Sequence, residues 1–147
     1  MGGDFGPPIT VQAAAECLEE YPELRLILVG DERSILSHLS DSFKPYQNLI
    51  EIIHSSEEVA MNEKPASALR NKKRSSMALA LETVASEKAG ACVSAGNTGA
   101  LMALSRSILG TLQGIDRPAF IREIPTLTGH CHVLDLGANI GCDAKHL

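Results

Sequence analysis

Tryptophan is absent from this chain, and aromatic residues make up only 3% of its 147 residues. An interior without large rings must be filled by Ala, Val, Ile and Leu. The hydrophobic fraction is still 44%, and a core of small aliphatic side chains suits parallel strands covered by helices on both faces. Positive charge is also scarce: 13 basic against 18 acidic residues leave a net charge of −5. Nucleic-acid binding in general needs a basic surface, so no nucleic-acid partner is expected. The imbalance is too small to imply disorder. Cys17, Cys92, Cys131 and Cys142 show no CxxC pairing, and read as reduced packing residues of an intracellular chain. No apolar run approaches the roughly 20 residues of a membrane span. Met1-Gly2-Gly3-Asp4 is not the start of a secretory signal. A cytoplasmic protein is expected.

Residues 1–147 read as a single α/β domain that is part of a longer protein. The chain starts inside a loop and stops at Lys145-His146-Leu147, where a new helix would begin. After the Gly2–Pro8 loop, the spacing predicts a helix over Thr10–Tyr21 with Val11, Ala14, Ala15 and Leu18 on one face. Leu24–Val29 is a buried strand ended by Gly30-Asp31. A short helix at Ser34–Leu39 and a second strand at Leu49–Ile53 follow. Glu57–Lys73 is polar, contains Pro65, and reads as a mobile surface segment. Ser75 or Ser76 caps a helix running to about Glu87. Ala91–Ser94 is expected as a third strand, leading into a helix over Leu101–Leu109. Ala119–Ile124 and His132–Leu136 are further strands that can pair as a hairpin through Thr128-Gly129, which would make the sheet mixed.

The richest chemistry lies in Ser94-Ala95-Gly96-Asn97-Thr98-Gly99-Ala100. A strand that turns straight into a helix leaves the first N–H groups of that helix without partners. With the positive end of the helix dipole they form an anion site. Gly96 and Gly99 allow close approach of a ligand, and Ser94, Asn97 and Thr98 add side-chain donors. The plainer reading is a tight turn whose glycines only permit close packing. No GK[ST] or GxGxxG is present, so neither a P-loop nor a dinucleotide site is indicated.

Other candidates carry similar pairs of readings. Asp4, after two glycines, can hold a substrate group or simply form a turn. Leu134-Asp135-Leu136-Gly137-Ala138-Asn139 repeats the pattern of apolar strand, glycine and short polar residue. Asn139 is its candidate ligand contact, and Asp135 a structural acceptor for backbone N–H groups. Arg70-Asn71-Lys72-Lys73-Arg74 is a basic run in an acidic chain. It is a solvated loop, a phosphate clamp or a dock for an acidic partner. In His130-Cys131-His132, strand alternation puts both imidazoles on one face and the thiol on the other, which is poor for a shared ligand sphere. No metal site is expected. No GxSxG elbow or Ser-His-Asp spacing offers a covalent nucleophile.

Taken together, MGGDFGP (1–7), KPASALRNKKRSSM (64–77), VSAGNTGALMA (93–103), LGTLQGIDRPA (109–119) and VLDLGAN (133–139) resemble the bacterial phosphate acyltransferase family, PlsX. The motifs stand in the family's order across nearly the whole chain. The resemblance implies transfer of an acyl group from acyl carrier protein to inorganic phosphate, without a cofactor, to give acyl phosphate for phospholipid synthesis. It implies a three-layer α/β/α fold similar to isocitrate and isopropylmalate dehydrogenases, a homodimer in the full-length protein, and association with the membrane surface. Family members are about twice as long and have a strand ahead of MGGD. They usually carry Asp directly after the position of Asn139, where this chain has Ile140-Gly141-Cys142-Asp143. On this reading Ser94, Gly96, Asn97, Thr98 and Gly99 bind phosphate, and Asp4, Asn97 and Asn139 line the reacting centre. Arg70, Lys72, Lys73 and Arg74 dock the acidic carrier. A dehydrogenase-like enzyme and a non-catalytic phosphate-binding module are the rival readings.

Overall fold

Helix α1 spans Pro7–Glu20 and begins ahead of the expected Thr10, because Pro7 and Pro8 fill its first positions. A proline there gives up an N–H that would have had no partner in any case. The computed structural model describes residues 3–39, 41–116 and 118–134. The chain divides into two units, Met1–Leu109 and Gly110–Leu147.

In the first unit, the four residues expected on the inner face of α1, Val11, Ala14, Ala15 and Leu18, are all buried. Strand β1, Leu26–Gly30, runs into helix α2, Glu32–His38. The carboxylate of Asp31 accepts the Ser34 N–H at 2.9 Å and caps that helix. A 3₁₀ segment, Asp41–Leu49, leads to strand β2, Ile50–His54. The strands pair in parallel, with Leu26 opposite Ile50 and Gly30 opposite His54. Leu26, Leu28, Ile50 and Ile52 share one face by alternation. They pack against Val11, Ala14, Ala15, Ile35 and Phe43. The chain is therefore α/β, with a parallel pair and its covering helices.

A second cluster joins helices α3 (Pro65–Asn71), α4 (Ser76–Ala85) and α5 (Thr98–Ile108). Ala68, Ala78 and Ala100 are each fully buried, beside Met77, Leu81 and Leu104. Alanines at these contacts let the helix backbones approach closely. Ser75 caps α4 as expected, accepting the Ala78 N–H while donating to the carbonyl of Lys72.

Two expectations fail in this region. Glu57–Lys73 is not an irregular mobile stretch, since it contains α3 and contributes Val59 and Ala68 to the core. Composition missed it because a seven-residue helix owes its existence to tertiary burial, not to its own propensity. Ala91–Ser94 forms no strand: among the described residues it enters no ladder, and Val93 is 97% exposed. A short apolar run can suggest a strand but cannot supply its neighbour.

In the second unit, strands β3 (Ile121–Thr126) and β4 (Gly129–Leu134) pair antiparallel around the two-residue loop Leu127-Thr128. The expected hairpin is present, and among the described residues it is a two-stranded sheet of its own, with no mixed sheet formed. Among the described residues no helix is long and apolar enough to cross a membrane.

Candidate functional site

The start of α5 is built by one side chain. Asn97 is its N-cap, and Oδ1 accepts the Ala100 N–H at 3.0 Å. Its amide nitrogen donates toward three carbonyls of a distant turn: Ala60 at 3.0 Å, Met61 at 3.0 Å and Glu63 at 2.8 Å. The residue is only 8% exposed. The two amide hydrogens are shared among these carbonyls, and Oδ1 accepts the capping bond, so both ends of the side chain are engaged within the protein. Asn97, expected as a direct phosphate and catalytic contact, is here a cap and a staple.

Gly99 serves packing as well. A Cβ at that position would lie 2.9 Å from Cγ of Pro65, the first residue of α3. The close-packing reading of this glycine therefore holds. Gly3, at φ +81°, brings the Gly3-Asp4 loop against the same turn, where a Cβ would lie 3.1 Å from the Ala95 carbonyl oxygen. Thus the first glycine-rich motif and the loop at 94–99 are neighbours, although more than 90 residues separate Gly3 from Ala95 in sequence. Asp4 stands exposed beside them.

Two of the local amides are capped from within. The Gly96 N–H is satisfied by Ser94 Oγ at 3.2 Å, and the Ala100 N–H by Asn97. Thr98 and Gly99 are exposed, and their N–H groups have no protein acceptor among the described residues. These two amides, at the positive end of an 11-residue helix, are what the site offers an oxyanion.

The basic run lies elsewhere. Arg70 sits in the last turn of α3, and Lys72, Lys73 and Arg74 form the connection to α4. Lys73 lines a groove of about 220 Å³ with Leu69, Glu82, Leu104 and Ile108. Leu104 is six residues along α5 from Thr98, roughly 9 Å at the helical rise. Lys73 therefore flanks the C-terminal half of α5. Arg74 turns to a different concavity, lined by His54, Ser55, Ser56, Glu57 and Leu79. Its backbone is fixed, since buried Ser55 Oγ approaches the Arg74 carbonyl at 3.0 Å and the Glu57 carbonyl at 2.9 Å.

Asn139, Asp135 and Asp143 lie outside the described residues. Cys92 packs against the α3–α4–α5 cluster, and burial raises its thiol pKa above the ordinary value. Sequence reasoning missed the turn at 60–63 as a partner of Asn97, for which no local signal existed.

Against known proteins, the model of the family described as "Fatty acid synthesis protein" matches residues 1–147. A protein of Pseudomonas syringae named "Phosphate acyltransferase" is 56% identical over 147 residues, all of this chain and 43% of the relative. Its namesake in Methylococcus capsulatus is 54% identical with the same coverage. The one in Vibrio parahaemolyticus is 51% identical over 148 aligned positions. The chain spans about two fifths of the length of these curated relatives, 43% in each case. A match that runs from the first residue to the last makes this chain a member of the fatty acid synthesis protein family.

Proposed function

We propose that this chain is part of an acyltransferase that forms acyl phosphate from acyl-acyl carrier protein and inorganic phosphate in phospholipid synthesis. The observation that carries the reading is identity above 50% across the whole chain to proteins named phosphate acyltransferase. The open amides of Thr98 and Gly99 support it, because a phosphate needs fixed N–H donors. On this reading residues 1–147 form one α/β domain of a larger enzyme. The dehydrogenase-like fold, the homodimer, the cytoplasmic location and the membrane-surface association belong to the same proposal, carried by the family resemblance.

Phosphate is a competent nucleophile and a thioester is an activated acyl donor, so no acyl-enzyme is required. The protein's task is to hold the two reactants together, which can remove roughly 7–11 kcal/mol of barrier at best. The amides of Thr98 and Gly99 bind phosphate, with Ser94, Gly96 and Asn97 setting the shape of the cradle. Asn139 and the loop backbone stabilise the tetrahedral oxyanion, each donor worth about 3–4 kcal/mol. Asp4 faces the reacting centre from the neighbouring loop. Water must be kept away because acyl phosphates hydrolyse. Arg70, Lys72, Lys73 and Arg74 dock the acidic carrier, a role compatible with a basic run away from the cradle.

The test is acyl phosphate formation from a fatty acyl-acyl carrier protein and inorganic phosphate, trapped as the hydroxamate, with the full-length enzyme. Lys73→Glu should raise KM for the carrier-bound donor severalfold and leave KM for phosphate unchanged. Equal changes in both constants reject the docking role. Phosphate binding without turnover would make the protein a binding module instead.

A further inference from the structure

The β3–β4 hairpin gathers three metal-ligating side chains on one face. His130 and His132 stand two residues apart on β4, and Glu123 lies directly opposite His132 in the register. The Nδ1 atom of His130 is 3.6 Å from Oε1 of Glu123, and the Nε2 atom of His132 is 3.8 Å from Oε2. One ligand atom from each of the three residues falls within 4.8 Å of the others. The two rings meet edge to face with centroids 5.2 Å apart.

We propose that Glu123, His130 and His132 bind one divalent transition-metal ion, with zinc the fitting choice. Ligand bonds near 2.1 Å in a tetrahedral sphere place donor atoms about 3.4 Å apart. The two observed carboxylate–imidazole separations, one to each carboxylate oxygen, exceed that by a few tenths of an ångström, and the three exposed side chains must rotate to close around one ion. Two imidazoles and a carboxylate are the donor set of zinc and its neighbours, while magnesium and calcium prefer oxygen alone. Water completes the fourth position. Each of the three side chains is more than half exposed, so the ion has an open entry path. Cys131 alternates to the opposite face of the strand and is not a ligand.

The consequence of binding is mechanical. An isolated two-stranded hairpin is marginally stable in water. An ion held by Glu123 on β3 and both histidines on β4 ties the strands together and fixes their register. Binding that favours the paired state stabilises it by mass action. This inference stands apart from the proposed acyl transfer and uses none of its residues.

Zinc titrated calorimetrically into the full chain after EDTA dialysis tests the site. The expected result is one equivalent bound in the micromolar range. Glu123→Gln, nearly isosteric, and His132→Ala should each weaken it at least tenfold, with circular dichroism confirming that both variants fold. Cys131→Ser should bind as the parent does. Hydrogen exchange at the amides of 121–134 should slow when zinc is added to the parent and not when it is added to His132→Ala. Unchanged affinity in His132→Ala, a tenfold loss in Cys131→Ser, or binding weaker than millimolar (an adventitious ion only) would each overturn the assignment.

Discussion

The start of α5 and the β3–β4 hairpin both concentrate polar side chains in a few residues, yet they differ in what holds them. At the start of α5, Asn97 is buried and bonded to carbonyls 34 to 37 residues away in sequence. In the hairpin, Glu123, His130 and His132 are exposed and meet only through the register of two adjacent strands. The first region spends its side chains on the fold and leaves two backbone amides open. The second spends its backbone on the ladder and leaves three side chains open. Polar residues in a motif are thus not automatically the open groups.

The sharpest way to break this contrast is Asn97→Ala. Loss of the cap and of the bonds to the turn at 60–63 should cost about 3 kcal/mol of stability, read by urea unfolding. His132→Ala in the metal-free protein should change stability by less than about 0.5 kcal/mol, as for an ordinary surface site. Equal costs would erase the distinction between the regions.

Gly99→Ala sharpens the packing half of the argument. Its methyl group would meet Pro65 at 2.9 Å, and overpacking of this kind costs about 1–3 kcal/mol. Pro65→Ala removes the obstructing ring, so the double variant should recover much of the loss in a thermodynamic cycle. No recovery would mean that Gly99 is required for another reason.

The smallest effect concerns the thiols. Cys92 lies against the helical cluster and burial raises its pKa, whereas Cys131 is exposed on the hairpin. Iodoacetamide at mildly alkaline pH should label Cys131 roughly tenfold faster than Cys92, followed by mass spectrometry. Comparable rates would show that the helical cluster opens as readily as the hairpin.

Much of the local structure was legible in advance. The inner face of α1, the Ser75 cap, the parallel strands and the hairpin all follow from periodicity and turn chemistry. Helix α3 was hidden because its short sequence has little intrinsic drive, and its apolar residues count only once α5 covers them. The run at 91–94 misled because strand character depends on a partner. At the candidate site, the open helix start was legible, but the use of Asn97 was not. A side-chain amide can serve a ligand or the fold equally well, and only its surroundings choose between them.

By itself the sequence determined the family, the α/β character, and the pairing of glycines with a helix start. Periodic burial and steric rules for Gly and Pro act over a few residues, so they can be read along the chain. The tertiary structure alone decided that Gly3 meets Ala95, that Lys73 flanks the far half of α5, and that Glu123 faces two histidines. Those contacts join residues far apart in sequence, and their existence depends on how whole elements pack and in which register strands pair.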